Sequence, residues 1–327
     1  RLTVFCIVKA IFAPALLNES ATMAGIAIAH SAFNILCTAM LLPCGGLLEK
    51  LAVRLVPDKA QAEETVELDE RLLATPSIAL ERCRVVTNEM ADVAAVTLRD
   101  AAAALQNYTP ELAQAVREGE SKTDHYEDIL GTYLVKLSAL KISENDSSEA
   151  AMLLKALSDF ERIGDHALNL VESAEELKSK NLALSDAARH ELNVLLRAVE
   201  EIVDMTFQAF RDDDLEKAYR VEPLEQVIDD LKEKMRIHHI LRMQQGSCSI
   251  ESGFVWSDLL TALERVGDHC SNIAGCIIDL HHHNMNTHEA IRSARMENEN
   301  FDDEYKAYAV KSVSYTHLRA HETRHDL

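Results

Sequence analysis

Two nine-residue segments, ERIGDHALN at 161–169 and ERVGDHCSN at 264–272, begin 103 residues apart and agree at Glu, Arg, Gly, Asp, His and Asn. Each lies inside a long run with apolar residues at helical spacing. A segment repeated at that separation, in equivalent surroundings, constrains the chain to two copies of one supersecondary unit. Reading between breakers gives three helices per copy: 76–106, 110–142 and 147–180, then 185–211, 212–245 and 250–283. Pro76 and Pro110 suit a first helical turn. Ser147-Ser148-Glu149, Ser185-Asp186 and Asp212-Asp213-Asp214 supply side chains that cap orphan N–H groups. Connections this short make the helices antiparallel neighbours. The expectation is an all-α domain over 75–290 built from two three-helix bundles, about 75–182 and 183–285.

Composition agrees. Ten Gly, six Pro and 5% aromatics in 327 residues leave long stretches without breakers, which favours helix over sheet. A formal charge of −21 argues against a nucleic-acid partner, since such a protein needs a basic face to displace counterions. Seven dispersed cysteines without a C-x-x-C pair read as reduced, small apolar side chains. No paired nucleophile and base, Gly-rich phosphate loop or Cys/His zinc spacing is visible, so the chain is not expected to be an enzyme. His281, His282, His283 and His288 could bind a metal, but the reading preferred is that they close a helix C-terminus, where they suit the dipole.

At 100° per residue, Glu161, Asp165 and Asn169 form one stripe on the third helix, and Glu264, Asp268 and Asn272 repeat it. The second helices carry Glu120 and Asp124, followed by Glu127, and Glu225 with Asp229. Facing each other in an antiparallel hairpin, these stripes gather four carboxylates per copy. Hard cations take oxygen ligands, and bundles build metal sites from carboxylates on facing helices. The same residues equally describe a solvated acidic face paired with Arg162 and Arg265. Both readings stay open at this level. Gly164 and Gly267, each unfavourable in a helix interior, point to close approach by a neighbouring helix. His166 and His269 are turned about 100° away from the carboxylates.

The ends differ in style. Residues 23–42, MAGIAIAHSAFNILCTAMLL, carry no Asp, Glu, Lys or Arg and would span about 30 Å as a helix, enough for a bilayer core. A terminal transmembrane helix, or two, is therefore expected ahead of the bundles. Lys50, Arg54 and Lys59 follow, which places the downstream side in the cytoplasm. His30 and Asn34 share a face there and are candidates for a transport pathway or for helix packing. Residues 57–74 read as a polar linker and 291–327 as a tail, of which 312–327 is expected to be foreign to the protein. The chain, starting on an apolar run at Arg1, is expected to be the C-terminal fragment of a longer one.

ERIGDHALN, ERVGDHCSN and the Glu-x-x-x-Asp pairs of the second helices together resemble the PhoU domain. With AIAHSAFN (27–34) and DERLLATPSIALE (69–81), the chain is similar to bacterial sodium/phosphate cotransporters that carry a C-terminal PhoU-like domain. That resemblance implies that residues 1–56 end a transmembrane transporter domain and that the whole protein is a sodium-dependent phosphate symporter of the inner membrane. Sodium and phosphate would be the solutes and the transporter core upstream the partner. The six-helix domain would be cytoplasmic and regulatory, and homo-oligomerisation is compatible with it. The resemblance also implies a multinuclear metal cluster, of iron, zinc, magnesium or manganese, on Glu120, Asp124, Glu161 and Asp165, and on Glu225, Asp229, Glu264 and Asp268. His125 in the first copy faces Asp230 in the second, so the two sites need not be equivalent. The Gln-Ser-Ser transport motifs of that family do not occur in this sequence. The alternative is a stand-alone PhoU-like regulator of phosphate uptake or signalling.

Overall fold

A computed structural model describes residues 68–282 and 301–317, together with Ser31, Asn34, Ile35 and Thr38. Residues 1–65 and 66–327 form separate compact units. In the second unit the described residues hold one 3-10 helix, Glu70–Ala74, and seven α-helices: α1 Pro76–Gln106, α2 Pro110–Ser138, α3 Glu144–Ser179, α4 Asp186–Asp212, α5 Leu215–Gln244, α6 Ile250–His282 and α7 Phe301–His317. No strand is present among the described residues. The all-α expectation holds.

Local chemistry sets the helix ends. Thr109, Ser143, Ser185 and Asp214 each accept a hydrogen bond from a backbone N–H in the following turn, at 3.0 to 3.3 Å, which satisfies donors the helix leaves unpaired. Three boundaries differ from the sequence reading. The α3 helix starts a turn early because Ser143, rather than Ser147, is the cap. The α2 helix ends at Ser138 rather than near 142. The α5 helix starts after Asp213, whose left-handed backbone (φ 53°) closes α4, so Asp214 becomes the cap. Pro223 lies inside α5, where it lacks the N–H that would bond the carbonyl one turn back.

The first three helices pack pairwise into one bundle and α4 to α6 into a second, while α3 and α6 lie against each other. The core is continuous across both. Phe160 on α3, fully buried, meets Phe207 and Phe210 of α4 edge-on, with both centroid distances 5.1 Å. That arrangement suits the ring quadrupoles and joins the repeats through their apolar centre.

Two segments expected to be irregular are helical. Part of the anticipated linker forms the 3-10 helix, with Asp69 accepting from the Arg71 N–H at 2.9 Å. Tyr133 of α2 holds this turn by donating to the Asp69 carbonyl at 3.0 Å. The anticipated tail contains α7, which packs on α4 and α5. Tyr308 and Ser312 of α7 are buried, and Lys311 pairs with Glu201 of α4 at 2.6 Å. Tyr305 donates to Asp230 at 2.5 Å. The last residues of α7 therefore extend into the stretch expected to be foreign.

The apolar run at 23–42 lies outside the described residues except for four positions, among which Asn34 is helical and exposed. His30 lies outside them. No helix among the described residues is long and apolar enough to cross a membrane, so the expected span is not one of the described helices.

Candidate metal centre

The close pairing of α2 and α3 begins at a glycine. A Cβ placed on Gly164 would lie 2.5 Å from the Thr123 hydroxyl oxygen, so only a glycine admits α2 at this distance. Thr123 is itself buried and donates to the Glu120 carbonyl at 2.8 Å. This contact sets α2 against α3 with their acidic stripes facing. Ligand oxygens of Glu120, Asp124 and Asp165 fall within 4.8 Å of one another. Asp124 is exposed and the other two are half-buried, so the cluster opens to solvent.

Two more carboxylates complete the face. Glu161 stands one turn before Asp165. Its pKa is pushed up to about 7, first by burial and then by Asp165, with Glu127 and Asp124 adding to it and Arg162 opposing. Burial, and then Asp124 and Asp165, raise Glu120 as well. Burial, followed by Asp128 and Asp124, raises Glu127. Like charges crowded in a partly desolvated place disfavour ionisation. Arg162 offsets part of this, at 3.1 Å from Asp165 and 3.5 Å from Glu161. All four residues expected in the first copy therefore share one face, and Glu127 joins them.

The second copy differs. On α6, Arg265 repeats the role of Arg162, at 3.0 Å from Asp268 and 3.7 Å from Glu264. On α5, Lys232 enters the cluster and pairs with Glu264 at 2.8 Å, both side chains being largely buried. Asp229 is raised by burial and by Glu264, with Lys232 opposing. Asp268 is raised by burial and Glu264, with Arg265 opposing. Glu225 sits beside Gly267, where an added Cβ would meet Ile228 at 3.6 Å and the Glu225 stem at 4.0 Å. Those are ordinary contacts, so the close approach expected at both glycines holds at Gly164 and not at Gly267. Among the described residues, carboxylates with ligand atoms within 4.8 Å of one another occur as a trio only in the first copy.

Lys232 was not singled out from sequence, although a signal existed. Aligning Glu120-x-x-x-Asp124 with Glu225-x-x-x-Asp229 puts Lys232 opposite Glu127, a charge reversal inside a repeated motif. The two histidines are turned away from the carboxylates, and they meet across the α3–α6 contact, a pairing the sequence reading did not anticipate. His269 bonds to Asp159 at 2.8 Å, and Asn272 donates to the same carboxylate oxygen at 3.1 Å. The terminal histidines of α6 serve its end: His281 pairs with Asp213 at 3.2 Å and His282 with Tyr219 at 2.7 Å. His283 and His288 lie outside the described residues.

A family model described as the PhoU domain matches residues 87–174 and 192–277, once on each bundle. The phosphate-specific transport system accessory protein PhoU homolog 1 of Thermotoga maritima is 27% identical over 190 residues, covering 56% of this chain and 78% of that protein. The accessory protein PhoU of Serratia marcescens is 27% identical over 216 residues, covering 64% of this chain and 86% of its own. The crystal structure of PhoU from Pseudomonas aeruginosa superposes with a TM-score of 0.59 at 25% identity, over 62% of this chain and 97% of that one. A regulatory PhoU of Streptococcus pneumoniae, at 19% identity, shares the fold with a TM-score of 0.59 over 65% of this chain and 99% of its own. Two matched repeats, an all-helical fold in two bundles and acidic stripes on the second and third helices place this chain in the PhoU domain family.

Proposed function

We propose that this chain is a PhoU-like regulator of phosphate transport whose first bundle reads a hard metal cation. Support for the regulatory role comes from the family and from relatives named as accessory proteins of phosphate-specific transport. One observation carries the metal reading: Glu120, Asp124 and Asp165 converge from two helices beside Glu161, whose pKa is lifted to about 7 by burial and then by the neighbouring carboxylates. Oxygen donors alone suit magnesium, manganese or ferric ions better than soft metals. A cation held by these residues and Glu127 would offset the repulsion they share and clamp α2 to α3. The chain acts in this reading through binding rather than catalysis, on the cytoplasmic face of the membrane, against a phosphate transporter.

The direct test is expression of the full chain in a bacterium deleted for its own PhoU protein. Restored repression of phosphate uptake at high external phosphate is expected, and loss of that restoration in the Glu120→Gln, Asp165→Asn double variant. Uptake that ignores the chain would sink the regulatory reading.

A second reading keeps the chain as the C-terminal part of a sodium/phosphate symporter, with sodium and phosphate as its solutes. The apolar run 23–42 and AIAHSAFN within it favour this. It predicts that the full chain sediments with membranes and resists extraction at high salt; recovery in the supernatant would count against it.

A further inference from the structure

The duplication provides an internal control on which carboxylate clusters take a metal. Both third helices carry Glu-Arg-x-Gly-Asp, and both arginines pair with the flanking acids at closely similar distances, 3.1 and 3.5 Å against 3.0 and 3.7 Å. The second helices share Glu-x-x-x-Asp. The position three residues further on differs, being Glu127 in the first copy and Lys232 in the second. The first cluster therefore sets five carboxylates, Glu120, Asp124, Glu127, Glu161 and Asp165, against one arginine. The second sets Glu225, Asp229, Glu264 and Asp268 against an arginine and a lysine, and its further carboxylate, Asp230 in the place of His125, is taken by the Tyr305 hydroxyl at 2.5 Å.

We infer that the second bundle takes no metal cation, because the Lys232 ammonium supplies its positive charge from within the chain. The inference rests on the reading of the first bundle as a metal centre and refines it to one responsive half. The geometry carries it. Lys232 Nζ lies 2.8 Å from Glu264 Oε1, with the two side chains only 23% and 14% exposed. An ammonium at that distance makes a charge-assisted hydrogen bond to the carboxylate. A metal ion brought to Glu264 would either displace this largely buried ammonium from its partner or sit on the same carboxylate beside it, where the two cations repel each other. At their acidic faces the α5–α6 hairpin is thus bridged by a lysine of the chain, whereas the α2–α3 face has a carboxylate, Glu127, at that place. The remaining oxygen of Glu264 has Arg265 at 3.7 Å and no hydrogen bond, so Lys232 is the principal charge on this carboxylate.

The experiment is manganese binding to the full chain, measured by calorimetry with elemental analysis, for the wild type and single variants. Asp165→Asn should weaken binding at least tenfold, while Asp268→Asn should change it less than twofold. Lys232→Glu, which recreates the first copy's pattern, should add a second class of sites. Equal weakening by Asp165→Asn and Asp268→Asn, or no added sites in a folded Lys232→Glu, would overturn the inference. Should Lys232→Glu lose helicity, Lys232→Gln decides: manganese should bind its second bundle, measured as binding that survives Asp165→Asn. Its absence overturns the inference. A wild type that binds no manganese would refute the metal reading of the first bundle instead, and Lys232→Glu binding where the wild type does not would still uphold the role of Lys232.

Discussion

The imidazole rings of His166 and His269 stack across the α3–α6 contact, with centroids 5.4 Å apart and planes inclined at 28°. They occupy the same position in the two repeats, so the duplicated halves meet ring on ring. The environments are not the same. Asp159 bonds to His269, and its place in the second repeat is held by Ala262, which offers His166 no carboxylate.

This asymmetry has a pH signature. Burial first, and then His269, lower the pKa of His166 from 6.5 to about 4, with Arg162 and Arg265 also disfavouring its protonation and Asp165 favouring it. Between those values the unfolded imidazole takes a proton that the folded one refuses. Stability is therefore fully present above about pH 6.5 and is lost as pH falls toward about 4. Over pH 7.5 to pH 5 this contribution lowers the melting temperature, while Glu161, raised to about 7, works in the opposite direction. Relative to the wild type, His166→Gln should therefore lose less melting temperature, or gain more, across that range. Equal slopes in both proteins would remove His166 from the account.

The two repeat glycines should respond oppositely to alanine. At Gly164 the new methyl would sit 2.5 Å from the Thr123 oxygen, and forced overpacking of this kind costs about 1–3 kcal/mol. At Gly267 the nearest atoms are at 3.6 and 3.7 Å, so the gain in helix propensity, up to about 1 kcal/mol, dominates. Urea unfolding of the two variants checks the sign of each.

Removing the ring that joins the halves should be costly. Phe160→Ala leaves a cavity under Phe207 and Phe210, and such truncations cost about 3–5 kcal/mol. A Phe160→Leu variant should recover most of that loss by filling volume. Chemical denaturation followed by far-UV circular dichroism measures both.

The α7 helix should be a working part of the fold. Tyr308 is buried against α4 and α5, and the Arg220 guanidinium lies 3.4 Å from its hydroxyl. Tyr308→Ala should cost about 2 kcal/mol from lost apolar burial and speed proteolytic cleavage within 301–317. Unchanged cleavage would mean that the helix adds nothing to stability.

Much of this protein was determined by its sequence alone. The period of apolar residues, two prolines and a few capping side chains place six helices, with α1 reproduced at both ends. The repeat by itself sets the two-bundle plan, and the carboxylate stripes follow from helical winding. These are local properties, readable within a few turns. What only the tertiary structure decided depends on registry between helices. Whether Gly164 or Gly267 admits a tight crossing turns on the neighbour, Thr123 in one case and Ile228 in the other. That Lys232 reaches Glu264 while Glu127 adds to the charge around Glu161 requires α5 and α2 to be laid against their partners. The α7 helix escaped notice because its acidic, weakly amphipathic sequence announces little, and Asp230, Glu201 and Arg220 on other helices hold it in place. Helical period is written into the chain residue by residue, whereas the balance of charge at a shared face arises only when distant segments meet.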